Sequence, residues 1–570
     1  MKRIEYDVLI AGGGIAGLTA AHRLVDGAKA AGTPLRIAVL EKAKNFGAHV
    51  LSGAVSNPRS VKKLFLDYET NGFPLEGKCA ESHLTLLGAR RAKDVPFATL
   101  AMPEMNKTGY LILSLSNVCA WMAENLLEKT KDTAVAVDLY NGFAAQEILY
   151  SGQRVTGVRV DDTGAPEQDN CHAKITIFAD KGLLSRDLVE KFNLAQSNQT
   201  YAVGVKEVWE TEQDFSGKVW HTLGYPLMDG NFGGGFIYGL KDKKLAIGMV
   251  AGLDGPNPNL QPPQILQAMK KHPFVQRMIK GGKLARYGAS IIPEAGWFAM
   301  PKELAVDGAM IVGDAAGTMD IKGFSGVDKA MESAMAAADA AFAALQKNDT
   351  SKAALASYQK ALLDGWVGQE LKASRYYRHA FHENRALFSD YLPVVLKGLD
   401  KGSMMSGGVK AFFTGPGGLI GGGLNLLKQM GGGGCGELRL PEDRTCSKPD
   451  HQAAPLAEPE GFAKNTLYLT PDVVFYAHTH YHEGNDHIKE FDAAVCKKCI
   501  ARFEAGNNPP PCVGDCTAEV HSVLVKDGAK SHQMALENCV QCRTCDIVCP
   551  EKNIRVNAAL HGSGPDFRGL

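Results

Sequence analysis

The sequence has no surplus of charge: 62 Lys and Arg stand against 62 Asp and Glu in 570 residues. A balanced chain lacks the basic footprint that nucleic-acid binding requires, so no nucleic-acid partner is expected. Also missing is any run approaching the roughly 18–20 apolar residues that span a bilayer as a helix. Crossing a membrane is therefore not expected, whereas lying on one remains open. The N-terminus, MKRIEYDVLIAGGG, has neither the apolar core and small-residue cleavage site of a signal peptide nor an Arg/Ser-rich transit composition. A chain that enters its fold this early is expected to be made and kept in a cytosol. What the chain does have in quantity is glycine, 62 residues, and an uneven supply of 13 cysteines.

YDVLIAGGGIAGLTAAHRLV reads as an apolar strand, a glycine loop and an Ala/Leu-rich helix. In such a unit Gly12 makes the tight turn, Gly14 lets backbone approach a pyrophosphate and Gly17 lets helix pack on strand. The helix N-terminus stabilises the phosphate charge. A second strand, LRIAVLEK, ends in Glu41, placed to accept from a ribose hydroxyl. Dinucleotide binding follows from loop, helix and acidic residue in that order.

Some 300 residues later, GAMIVGDAAGTMDIKGFSGVDKAMESAM gives a strand ending Gly313-Asp314, small residues and a long Ala-rich helix. This resembles the second FAD fingerprint of the glutathione-reductase and hydroxylase-like flavoproteins. The resemblance implies that Asp314 binds the ribityl chain and that Gly317 and Gly323 belong to the flavin site. No second GxGxxG occurs in strand–helix context, so no dedicated NAD(P)H domain is expected. A flavin here would be reduced by a bound substrate or by another protein.

Five cysteines (Cys79, Cys119, Cys171, Cys435, Cys446) are scattered and read as idle or buried thiols, since a reducing compartment disfavours disulfides. The other eight fall between Cys496 and Cys549. Cys539-x2-Cys542-x2-Cys545-x3-Cys549-Pro550 has the spacing of the bacterial ferredoxin run, in which the fourth thiolate ligates the other cluster. Cross-ligation then predicts one 4Fe-4S cluster on Cys516, Cys539, Cys542 and Cys545. A second falls on Cys496, Cys499, Cys512 and Cys549. The x12 gap before Cys512 and Thr517 after Cys516 depart from the ferredoxin spacing, and zinc on Cys496, Cys499 and Cys512 is the alternative.

A flavoprotein first and a ferredoxin-like module last resembles the electron-transfer flavoprotein–quinone oxidoreductase family. The segments that carry the likeness include GAHVLSGAV, HTLGYPLMDGNFGGGFIYGL, AGLDGPNPNLQP, KNTLYLTPDVVFYAHTHYHEGNDHIK and NCVQCRTCDI. It implies flavin contacts at His49, Ser52 and Gly53, one cluster on Cys516, Cys539, Cys542 and Cys545, and a quinone ring beside Gly233 and Gly234. There, the missing side chains would leave room for a flat head group. Three features depart from the family: Cys549 stands where it usually has Asp, Cys496, Cys499 and Cys512 have no counterpart, and the glycine-rich stretch 415–434 is unlike its equivalent. VGDAAG is closer to the nitrogen-fixation-associated flavoprotein branch.

The resulting expectation is an α/β and α+β chain. A glutathione-reductase-like FAD-binding Rossmann domain comprises residues 1–80, 115–200 and 290–345. An inserted β-sheet domain for quinone and membrane surface takes 81–114, 201–289 and 346–435, and a ferredoxin-like iron–sulfur domain takes 436–570. Stretch 94–106, apolar with prolines that prevent a long helix, and stretch 404–430, apolar with few acidic residues, are candidates to rest on a bilayer. Tyr376–Phe388, rich in His and aromatics, reads as a helix surface. The implied activity passes electrons from electron-transfer flavoprotein through one or two 4Fe-4S clusters and FAD to a membrane quinone, on the cytoplasmic side of the cell membrane. A prenyl or geranylgeranyl reductase and a relay subunit of an electron-bifurcating complex are the alternatives.

Overall fold

A computed structural model describes residues 3–53, 55–97, 103–161, 168–227, 230–402, 418–430, 440–446, 449–450 and 472–570. Val8, Leu9 and Ile10 are consecutive, apolar and fully buried. A strand with no polar side must be covered on both faces, the usual condition of a parallel sheet. That strand, Arg3–Ala11, pairs in parallel with Leu35–Glu41 on one side and Gln168–Phe178 on the other. Val135–Asn141 and Ala309–Ile311 extend the sheet outward in parallel. The helix Ile15–Ala31 packs against the long helix Val327–Gln346, which buries Ala330, Ala334, Ala337, Ala338 and Ala341. Side chains that small let the two helices lie close over the sheet.

A second sheet of seven strands runs Lys283–Pro293, Tyr201–Glu210, Lys244–Gly252, Gly233–Leu240, Lys218–Gly224, Glu81–Leu87 and Ala92–Val95. Every pairing is antiparallel except that of Lys218–Gly224 with Glu81–Leu87. Val203, Ile247 and Ile291 of this sheet share one apolar core with Val540, Val548, Ile554 and Val556 of the C-terminal segment.

Polar clamps reinforce that core. Arg186 pairs with Asp546 at 2.5 Å and donates to Val556 O, and Arg555 pairs with Asp187 at 2.6 Å. The Tyr287 hydroxyl donates to Thr517 O at 2.7 Å, and the Phe567 amide to Ala48 O at 2.7 Å. The cysteine-rich region is thus fastened to both sheets.

Two expectations need correction. Leu355, Tyr358, Leu362, Val367 and Leu371, placed by sequence with the quinone domain, pack into the core of the first sheet. The Tyr358 hydroxyl donates to Ile311 O there, because the helices Ser357–Asp364 and Trp366–Ser374 lie next to the long alanine helix. Tyr376–Phe388 is not simply a surface: Tyr377, Arg378 and Phe381 are buried, with Arg378 neutralised by Asp254 and Glu294. A charge hidden in this way cannot be recognised from periodicity.

Of the two candidate membrane stretches, 98–102 and 404–417 lie outside the described residues. Their described ends meet. Val95, Phe97 and Met105 from one, and Leu426 and Met430 from the other, pack around Phe232 and Phe381. Leu424 and Leu427, on the helix Gly418–Met430, are 62% and 53% exposed. Among the described residues no helix is long and apolar enough to cross a membrane.

Candidate functional site

The glycine loop behaves as its spacing predicts. Gly12 has φ +116°, and a Cβ there would come 2.4 Å from Ala179 O. A Cβ on Gly17 would come 1.9 Å from Gly12 O, so helix and loop touch through bare backbone. Gly14 is the opposite case: a Cβ there would meet nothing within 4 Å. Its backbone looks into a cavity of about 440 Å³ that Gly12, Gly14 and Glu41 help to line. The helix that begins at Ile15 has no acidic side chain in its first turn, which leaves its N-terminal end favourable to an anion. Glu41 accepts from the Gly13 amide at 3.1 Å and the Ala43 amide at 2.8 Å, with lone pairs left for ribose hydroxyls. Burial pushes its carboxyl up.

Asp314, His49, Ser52 and Gly53 reach the same cavity. Lys181 Nζ lies 4.0 Å from Asp314 and donates to Ser290 Oγ at 2.9 Å. His49 Nδ1 is buried with no hydrogen bond to protein, and burial, Lys42 and His487 hold its pKa well down. An orphaned polar atom on an open wall is what a bound polar group would satisfy. The loop, the acid at the strand end and this orphan together fit a dinucleotide.

Gly17, Gly317 and Gly323 are not on the wall. Gly17 lies beneath the loop, and Gly317, φ +73°, closes the turn by donating to Asp314 O at 3.1 Å. Gly323 O accepts from buried Lys107 Nζ. These glycines shape the site without lining it.

At its other end the cavity is walled by the antiparallel sheet, including Gly233 and Gly234. Here the physical reason for glycine differs from the expected one. A Cβ on Gly233, φ +150°, would come 2.1 Å from Val250 O, and one on Gly234 would come 2.5 Å from Thr222 O. Close approach of neighbouring strands, rather than room in the cavity, excludes side chains.

Polar groups that sequence reasoning missed stand beside these glycines. His221 lines the cavity, exchanges a 3.3 Å hydrogen bond with Tyr238 and leaves Nδ1 buried without a partner. Burial pushes its pKa down to about 3, so the ring is neutral. Lys206 donates to Ser52 O at 2.9 Å, and burial lowers its pKa to about 8. Both are single residues within strands, without a motif to flag them.

Cys542 lines the cavity as well, with Gln541 and Arg543. Burial and the neighbouring Cys542, Cys539 and Cys516 push the Cys545 thiol well up, and Cys539 is pushed up to about 12. Protons would have to occupy so crowded a set of thiols, or a cationic core must replace them. Donors already point at sulfur: the Gln541 amide at Cys539, the Val520 amide at Cys516 and the Thr517 hydroxyl at Cys542, each at 3.2 Å. The quartet fits an iron–sulfur cluster.

A second group forms where burial and the charges of Cys549, Cys499 and Cys496 raise the Cys512 thiol. Of the scattered cysteines, Cys79, Cys119 and Cys171 are buried and Cys446 half-buried; Cys435 lies outside the described residues.

Three family models match the chain. An NAD(P)-binding Rossmann-like domain covers residues 10–80, an ETF-QO ubiquinone-binding domain 201–292, and a 4Fe-4S domain of electron transfer flavoprotein-ubiquinone oxidoreductase 466–568. Among curated proteins, electron transfer flavoprotein-ubiquinone oxidoreductase of Pseudomonas aeruginosa is 32% identical over 100% of this chain and 99% of its own. The mitochondrial protein of Mus musculus is 30% identical over 99% of this chain and 89% of its own. A solved structure, a geranylgeranyl bacteriochlorophyll reductase-like protein from Thermoplasma acidophilum, superposes with TM-score 0.54 at 16% identity. It covers 75% of this chain and 96% of its own, a likeness of fold alone. With full-length relatives at this identity, and with the cavity and thiolate quartet described above, the chain belongs to the electron transfer flavoprotein-ubiquinone oxidoreductase family.

Proposed function

We propose that this chain is an oxidoreductase that takes electrons from reduced electron-transfer flavoprotein and delivers them to a membrane quinone. The observation that carries the reading is the single cavity bounded by the glycine loop, by Cys542 and by the Gly233–Gly235 strand. Gly12, Gly14, Glu41, His49 and Asp314 would hold FAD, and Cys516, Cys539, Cys542 and Cys545 a 4Fe-4S cluster. Bound FAD supplies both one- and two-electron chemistry, and the cluster supplies one-electron transfer.

The residues supply position and protons. Quinone reduction consumes two electrons and two protons. Lys206, charged at Nζ below about pH 8, holds a proton at the cavity wall. Neutral His221 presents an unpaired Nδ1 to a quinone oxygen beside Gly233 and Gly234. Phe232, Phe324 and Phe381 offer an apolar path outward for the quinone tail.

That path leads toward the cluster shared by 94–106 and 404–430. We read this end, with Leu424 and Leu427 exposed, as resting on the cytoplasmic side of the cell membrane without crossing it. The first sheet reads as a glutathione-reductase-like FAD domain, with the antiparallel sheet inserted in it.

The test is steady-state reduction of a quinone analogue by enzymatically reduced electron-transfer flavoprotein, with the purified holoenzyme. Turnover at a rate set by both substrates supports the proposal. Full flavin and iron content without quinone turnover would overturn it in favour of a relay subunit, and hydride transfer to a prenyl alkene in favour of a prenyl reductase.

A further inference from the structure

Four cysteines take no part in the reading above. Cys496 and Cys499 lie one turn apart on the buried face of the helix Ala493–Glu504, Cys512 in the short helix Pro511–Gly514, and Cys549 just beyond the helix Thr544–Val548. We propose that Cys496, Cys499, Cys512 and Cys549 hold a second 4Fe-4S cluster, outward of the first, that receives each electron from the partner and hands it to the first cluster. The site stands on its own geometry; only its place in the relay rests on the function proposed above.

The two sites share their supports. Cys545, in the helix Thr544–Val548, and Cys549, just past its end, are four residues apart and serve different quartets, as do Cys512 and Cys516. Four residues span at most about 14 Å even when fully extended, so the two cores would be close neighbours. No sulfur of the second quartet lines the flavin cavity, whereas Cys542 of the first does. Outside the second quartet the helix Ala493–Glu504 shows Lys497, Lys498 and Arg502 to solvent, which makes this the side open to a docking protein.

Asn553 is the second observation. Buried itself, it donates its backbone amide to Cys549 Sγ at 3.2 Å and its side-chain amide to Cys496 Sγ at 3.1 Å. Two sulfurs from distant segments are thereby held as acceptors, as thiolates bound to a metal core require.

Zinc is the rival occupant. Cys512, His521 and His532 offer ligand atoms within 4.8 Å of one another, as do Glu490, Cys496 and His532. Both His532 nitrogens are already engaged, Nδ1 with Glu490 at 2.5 Å and Nε2 with His521 at 2.9 Å. The histidines satisfy each other, and the four sulfurs remain the free donor set.

In the transfer, the partner loses one electron, the second cluster gains and then passes it, and the first cluster gains it. No bond is made or broken and no proton moves.

Quantify iron, zinc and flavin, and record EPR of the dithionite-reduced holoenzyme, for wild type and for Cys496→Ser/Cys499→Ser. Two clusters require about eight irons per chain. The wild-type signal should be broadened by two nearby paramagnets, and the variant should keep its flavin, half the iron and a simple one-cluster signal. About four irons with zinc, or four with nothing else, would overturn the site. If the variant fails to fold, the wild-type metal count and line shape decide alone. Flavin reduction by the partner should slow severalfold in the variant while flavin reduction by quinol is unchanged; equal rates would remove the second cluster from the path. Wild type with eight irons but no quinone turnover would defeat the proposed function and leave this site standing.

Discussion

Replacing Asp254 by alanine isolates the buried network that braces the quinone end of the cavity. Arg378 is 2% exposed, and its guanidinium is shared between Asp254 at 2.6 Å and Glu294 at 3.0 Å. Asp254 also receives Arg385 at 2.7 Å. Burial works against its ionisation, but Arg378, His382 and Arg385 outweigh burial and hold the carboxyl well below the usual range. Without Asp254, the buried Arg378 keeps only Glu294, whose carboxyl burial has pushed up.

Breaking a buried pair from one side costs roughly 3–5 kcal/mol, and a charge pair near 4 Å at an effective dielectric constant of 20 is worth about 4 kcal/mol. The two routes agree. Asp254→Ala should lower the apparent melting temperature of the holoenzyme sharply. Asp254→Ala/Arg378→Met should be less destabilised than the sum of its single variants, because the fully buried cation is gone. The wild-type advantage should be complete above about pH 4 and shrink as acid protonates Asp254, the sign expected for a carboxyl with a depressed folded-state pKa. Arg378 also lies 4.5 Å over the ring of Phe232, a cavity residue, so KM for a quinone analogue should rise. A loss under about 1 kcal/mol, or additive single variants, would refute the reasoning.

Three other substitutions follow from the geometry. Gly17→Ala would drive a methyl to 1.9 Å from Gly12 O, so the purified protein should carry little flavin, read from its visible absorbance, while iron content persists. His221→Leu removes the unpaired Nδ1, and quinone turnover should fall severalfold with flavin content and dithionite reduction unchanged; unaltered turnover would place the ring elsewhere. Leu424→Glu/Leu427→Glu should weaken co-sedimentation with anionic vesicles and spare the reduction of a short-tailed quinone in solution; undiminished vesicle binding would exclude this helix as the contact.

Local chemistry was legible in the sequence, and partnerships across the fold were not. Gly12, Gly14 and Gly17 announce themselves because a phosphate-binding turn needs them at fixed offsets, and the structure supplies three distinct reasons for them. The x3 spacing before Cys549 predicts a division of the eight cysteines into two quartets, and the structure sets Cys545 beside Cys516, Cys539 and Cys542, and Cys512 beside Cys496, Cys499 and Cys549. Asn553 was invisible, because its partners Cys496 and Asp492 lie about sixty residues away. Arg378 looked like surface for the same reason: its two carboxylates come from the second sheet's margin. Gly233 and Gly234 were singled out by the family resemblance, yet what excludes their side chains is the adjacent strand.

The clamps between Arg186 and Asp546, Arg555 and Asp187, and Phe567 and Ala48 bolt the cysteine-rich region to the rest of the fold at three separate points. Internal hops along such a rigidly bolted path should proceed at one speed in water and in glycerol. Whatever a thickened solvent does slow must then be collision with the incoming donor or the exchange of quinol for quinone.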